Sequence, residues 1–212
     1  MAEAFKIVHQ QGDGEIVEKK SRFISTIYKV ENEEQVTEIL NATRKKYWDA
    51  RHNCFAYVIG DKDEVVRCSD DGEPSGTAGK PILEVITGKG IHNCLVIVTR
   101  YFGGTLLGTG GLVRAYQGAA NECIKNAVIA ERISAQQVEI TTDYNGLGKI
   151  QYIAGQMEIQ VKDTEYTDKV KMILIVENEK VDQLEKKVIE ATSATARFEK
   201  TKQEYILKKI EE

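Results

Sequence analysis

The sequence predicts an α+β protein of two domains, and three observations carry that reading. The first half mixes β-branched runs and helical spacings around glycine-rich loops. The style changes near Glu131–Ser134, after which Val138 and Ile140, and later Met157, Ile159 and Val161, alternate with polar residues. The second half then orders its segments β-α-β-β-α-β, the split arrangement of ferredoxin-like domains. A length of 212 residues accommodates two domains of ordinary size. The expected division is 1–133 and 134–212.

The elements follow in chain order. Glu15 to Val30 is rich in β-branched and aromatic residues and reads as strand. Asn32-Glu-Glu-Gln35 is a capping box, and Val36, Ile39, Leu40, Thr43 and Tyr47 continue at helical spacing, which predicts a helix over 32–47. Asn53–Ile59 and Glu64–Ser69 read as strands joined by the turn Gly60-Asp-Lys-Asp63. Asp70–Gly79 is a loop, and Pro81–Thr87 a helical turn or two. The apolar run Cys94–Thr99 reads as a buried strand feeding the glycine loop Gly103–Gly111. A helix over Leu112–Val128 follows, its stripe made by Val113, Tyr116, Ala120, Ile124 and Ala127. In the second domain, Val138 and Ile140 mark a strand and Tyr144–Ile153 a weak helix. Met157, Ile159 and Val161 alternate as a half-buried strand, and Val170–Val176 is another. Val181, Leu184 and Val188 mark a helix with an Asp182–Lys186 pair, and a last strand covers 195–207.

Composition narrows the function classes. The net charge is −4. Residues 1–133 carry 17 basic and 18 acidic side chains (−1), and 134–212 carry 12 and 15 (−3). Neither domain has the surplus that drives non-specific binding to nucleic acid, so an RNA contact has to come from a local patch, and sequence-specific DNA binding is not expected. No apolar stretch is long enough to span a bilayer, and the start has no signal-peptide h-region. Cys54, Cys68, Cys94 and Cys123 are scattered without CxxC spacing, which points to a reducing cytoplasm.

Four groups of residues are candidates for chemistry. Gly103, Gly104, Gly108, Gly110 and Gly111 lie between a strand and a helix N-terminus and are flanked by Arg100 and Arg114. Such a loop offers free N–H groups to an anion, or simply permits tight packing and positive φ. It is not a Walker A loop, since Thr109 follows Gly108 where lysine is needed. Nor is it a dinucleotide fingerprint, since Val113 stands in place of glycine. Gly108-Thr-Gly110-Gly111 does resemble, over those few residues, the loop of GHMP-type small-molecule kinases. Asp70, Asp71 and Glu73, with Ser75 and Thr77 nearby, form an acidic loop that suits a Mg²⁺ ion or a general base, or caps its own turn. His52-Asn-Cys54 and His92-Asn-Cys94 repeat one triplet, but its spacing is shorter than structural zinc sites use, so no metal is assigned. Arg22, Arg51, Arg100 and Arg114 each end an element, and with His52 they suit phosphates.

These motifs carry a family resemblance. Ser21-Arg-Phe23, Arg51-His-Asn-Cys-Phe-Ala-Tyr57, Asp70-Asp-Gly-Glu-Pro-Ser-Gly-Thr-Ala-Gly79, and Thr99-Arg-Tyr-Phe-Gly-Gly104 through Leu107-Gly-Thr-Gly-Gly-Leu112 resemble the IMPACT family in its bacterial YigZ/YvyE form. The resemblance covers the N-terminal half. The C-terminal half resembles the ferredoxin-like domain of bacterial members, itself similar to a domain of elongation factor G. It implies a first domain with the β-α-β fold of a small-subunit ribosomal protein and of translation factors. Eukaryotic relatives regulate translation by competing for the activator of a starvation-responsive kinase, using an additional RWD domain. None is expected in these 212 residues, so that mechanism is not carried over. The resemblance implies no catalytic residues and no cofactor. The expectation is a translation-associated regulator that binds RNA, the ribosome or a translation factor. Its site would be Arg22, Arg51, His52, Arg100, Arg114 and the glycine loop. The alternative is an enzyme acting on a phosphorylated or nucleotide-like metabolite through the acidic loop.

Overall fold

A computed structural model describes residues 5–210, the side chain of Lys209 excepted. The chain forms two compact units, one of residues 5–131 with 209–210, the other of residues 132–208.

The first unit contains β1 (Phe5–Gln10), β2 (Gly12–Glu18), β3 (Ser21–Lys29), α1 (Glu33–Lys46), β4 (His52–Ile59), β5 (Val65–Ser69), α2 (Gly79–Gly88), β6 (Ile91–His92), β7 (Cys94–Tyr101) and α3 (Thr109–Lys125). Five strands form a sheet in the order β2-β3-β7-β4-β5, with every neighbouring pair antiparallel. β7 is central and apolar from Cys94 to Val98 because both of its faces are covered. Side chains alternate across a strand. Leu95 and Ile97 therefore meet α1 through Val36 and Leu40, while Val96 and Val98 meet α2 and α3 through Ile82, Leu112 and Tyr116. Asn32 caps α1 as the capping box predicts, its Oδ1 accepting the Gln35 N–H at 2.9 Å.

The second unit contains β8 (Val128–Thr142, from Arg132 onward), α4 (Tyr144–Gln156), β9 (Gln160–Tyr166), β10 (Val170–Glu177), α5 (Asn178–Thr192) and β11 (Arg197–Lys209). β8 lies between β10 and β11, and β9 is outside β10. The element order is β-α-β-β-α-β, as the alternation predicts. Val138, Ile140, Met172 and Leu174 from the strands pack against Ile150, Leu184 and Val188 from the helices.

Several elements differ from expectation for local reasons. The strand expected over Glu15–Val30 is the hairpin β2–β3. Lys19 and Lys20 turn it with φ of 45° and 67°, a conformation that glycine or asparagine would normally announce. α2 is longer than expected, because Pro81 sits in its first turn, where proline is tolerated. α3 starts at Thr109, three residues early, and ends at Lys125. Met157 and Ile159 are not in a strand: α4 runs to Gln156, Glu158 turns the chain at φ 54°, and β9 begins at Gln160. Asp182 pairs with Lys200 at 3.1 Å rather than with Lys186.

Leu184 is fully buried at the centre of the second unit's core. Leu184→Ala is expected to lower its unfolding free energy by about 2–5 kcal/mol, measured by urea denaturation. A loss below about 0.5 kcal/mol would mean that this core does not hold the unit together.

Candidate functional site

Strand register assembles the site. His52 on β4 lies opposite Arg100 on β7, and Phe23 on β3 lies opposite Arg100 on its other side. Alternation sends His52, Cys54, Phe23 and Arg100 to the α2–α3 face, and Arg22, Asn53, Thr99 and Tyr101 to the other.

Arg100 is buried at the end of the central strand. Its Nη1 donates to Glu73 Oε1 at 2.6 Å, and the same oxygen accepts the Tyr116 hydroxyl at 2.8 Å. The guanidinium carbon lies 5.5 Å from the Phe23 ring centroid and 5.7 Å from that of Phe102, so two aromatic faces bracket the cation. The Phe23 ring meets Tyr116 edge to face at 5.2 Å. The Cys54 thiol has the Tyr116 hydroxyl at 3.3 Å and the Asp70 carbonyl at 2.9 Å. Burial pushes that thiol up to about 12, and burial together with Cys54 and Glu73 pushes the Tyr116 phenol far above its ordinary value. Both keep their protons at neutral pH and serve as donors.

The acidic loop is braced by its own carboxylates. Asp70 accepts N–H groups from Gly76 at 2.8 Å and from Ala78 and Gly79 at 2.9 Å, which closes the loop onto the start of α2. Burial raises the Asp70 carboxyl, but the three N–H groups outweigh it and hold the group below the ordinary aspartate value. Asp71 Oδ2 accepts the Asn53 N–H at 2.7 Å, and the Asp71 carbonyl lies 2.9 Å from His52 Nδ1. A carbonyl only accepts, so Nδ1 carries the proton and Nε2 is left for a ligand. Thr77 donates to the Pro74 carbonyl at 2.7 Å, and Ser75 is exposed. Among the described residues no group of three His, Cys, Asp or Glu side chains suits a metal ion. The two His-Asn-Cys triplets are not side by side: Cys54 stands opposite Val98, Cys94 opposite Val58, and His92 Nδ1 lies 2.7 Å from Asp63.

The expected arginines separate. Arg51, His52 and Arg100 line one cavity of about 490 Å³ together with Asp49, Tyr101, Phe102 and Leu106. Asp49 accepts the Tyr101 hydroxyl at 2.7 Å. Arg51 is exposed and has no ion pair among the described residues. Arg22 is on the opposite face and is held by Glu15 through two bonds of 2.9 and 3.0 Å. Arg114 is exposed on the outside of α3 and is not among the cavity's lining residues.

The glycines route the chain between cavity and helix. A Cβ on Gly103 would sit 2.0 Å from the Lys20 carbonyl carbon, and the Gly103 N–H donates to Ser21 Oγ at 3.1 Å. Gly108 caps α3 with φ 72°, while Gly110 and Gly111 lie in its first turn. The sequence reading missed Glu73 as the partner of Arg100. It also missed Phe102 and Leu106, which are 57% and 83% exposed. Two apolar residues inside a glycine loop were the available signal.

Residues 19–124 match the Impact N-terminal domain, and residues 140–195 match a domain of unknown function, DUF1949. The chain is 35% identical over 210 residues to IMPACT family member YvyE of Bacillus subtilis (strain 168), which covers 99% of this chain and 97% of that protein. The chain belongs to the IMPACT family. Protein IMPACT of Danio rerio is 34% identical over 139 residues, 63% of this chain and 41% of its own length. A solved structure, "Crystal structure of an hypothetical protein", superposes with a TM-score of 0.60 at 30% identity, covering 94% of this chain and 98% of that one.

Asp70 yields a pH-dependent prediction. Its folded pKa is depressed, so its contribution is fully present above the unfolded value near about 4 and is lost as pH falls through the folded value. Asp70→Ala is expected to cost roughly 1–3 kcal/mol at pH 7, and the gap to the native chain should narrow by about pH 3. Thermal unfolding at both pH values reads this directly. A gap that stays constant would remove the carboxylate from the loop's stability.

Proposed function

We propose that this IMPACT family member is a cytoplasmic, translation-associated regulatory protein. It binds RNA, alone or within the ribosome or a translation-factor complex, through the cavity of Arg51, His52 and Arg100. The observation that carries the reading is that cavity: cationic side chains beside two exposed apolar ones, with Arg51 lacking an ion pair among the described residues. Arginine forks suit phosphate oxygens, and an exposed ring suits a base. The family membership supports the link to translation. Among the described residues no helix is long and apolar enough to cross a membrane, which fits a site that meets RNA in water. The metabolite-enzyme reading draws less support, because Asp70, Asp71 and Glu73 already bond within the protein.

Sedimentation with ribosomes and filter binding to total RNA test the proposal. The native chain is expected to bind both, with affinity falling as salt rises. Arg51→Glu, at an exposed position, is expected to weaken binding about tenfold or more without lowering thermal stability. Full binding by Arg51→Glu would move the contact elsewhere on the chain. Absence of any binding by the native chain would end the proposal.

A further inference from the structure

We infer that the cavity takes one unpaired nucleotide of a single-stranded RNA rather than a stretch of duplex. Its base would lie against Phe102 and Leu106, and its phosphate beside Arg51. This rests on the reading of the cavity as an RNA contact and adds which form of RNA it selects.

Four observations support it. The cavity's volume, about 490 Å³, lies in the range of sites that enclose one small ligand, whereas a duplex presents a convex rod. Its cations amount to few phosphates: Arg51 is open, Arg100 is committed to Glu73 through Nη1, and Asp49 opposes both from the same wall. Residues 1–133 carry a net charge of −1, so the domain has no overall cationic surplus to attract a long backbone. Finally, Phe102 and Leu106 expose apolar surface in the same wall as the arginines. A paired base hides its face in the stack and cannot use such surface. An unpaired base can, and stacking on aromatic side chains is the usual means of reading single strands.

The contact should therefore depend on ring stacking more than on charge. Equilibrium titration of the full chain tests this with four probes: a fluorescently labelled single-stranded RNA of about eight nucleotides, the same RNA annealed to its complement, a free mononucleotide, and inorganic phosphate. Anisotropy follows the RNAs. The fluorescence of Trp48, the single tryptophan, which is exposed and adjacent in sequence to Asp49 of the cavity wall, follows all four. The single strand is expected to bind at least about tenfold more tightly than the duplex, and the mononucleotide no more tightly than the strand. Its affinity should fall with salt at a log–log slope of about −1 to −2, the signature of one to three phosphates. Phe102→Ala should weaken single-strand binding about 5- to 150-fold and leave that slope unchanged. Leu106→Ala, at a position 83% exposed, gives a second variant that leaves the core untouched and should also weaken it.

Equal binding of duplex and single strand, or a slope steeper than about −4, would overturn the inference while leaving RNA binding intact. Full affinity in both Phe102→Ala and Leu106→Ala would do the same. A mononucleotide that binds more tightly than the strand would overturn it in favour of a metabolite site. No binding of either RNA would remove the underlying proposal as well.

Discussion

A buried ion pair organises the first unit. Arg100 closes the central strand of the five-stranded sheet, and Glu73 comes from the acidic loop. Taking both charges out of water is costly, and an unrelieved pair would give little net stability. Here the cost is offset locally. Tyr116 donates to the same carboxylate oxygen, and the rings of Phe23 and Phe102 bracket the guanidinium. The pair thus joins three separate elements, β7, the acidic loop and α3, at one point. It also sets a cation in the wall of the one cavity that Arg51 and His52 share.

The acidic and glycine loops are both short and rich in glycine, but they do opposite things. In the acidic loop the side chains turn inward. Asp70 gathers three backbone N–H groups and Asp71 reaches the end of β4, so the carboxylates are consumed in making the loop rigid. The glycine loop instead brings its backbone close to the β2–β3 turn at Gly103 and exposes Phe102 and Leu106, while Leu107 packs against the core. A rigid acidic wall beside a loop that displays Phe102 and Leu106 produces a cavity with a fixed cationic side and an open apolar one.

Much of this was legible from residues. The capping box at Asn32, the hydrophobic period of α5 and the apolar run of β7 appear in the structure where their patterns put them. The misses share a physical cause. The β2–β3 turn is made by two lysines in left-handed conformation, which no turn signal announces. Arg22 and Arg100 both flank aromatic residues in sequence, yet the pleat places them on opposite faces, a distinction that requires the register of β3 against β7. The partnership of Glu73 with Arg100 spans 27 residues and depends on how the loop folds over the sheet. Arginine convergence was the part of the site that local pattern could not decide.

The account stands or falls on the coupling between Glu73 and Arg100. A double-mutant cycle with Glu73→Ala, Arg100→Ala and the double variant, read by urea unfolding at neutral pH, measures it directly. Each single change leaves a buried charge without its partner and is expected to cost roughly 3–5 kcal/mol. The double variant should cost less than their sum by more than about 1.5 kcal/mol. Additivity within about 0.5 kcal/mol would contradict the account, because the loop, the strand and α3 would then not be joined through this pair.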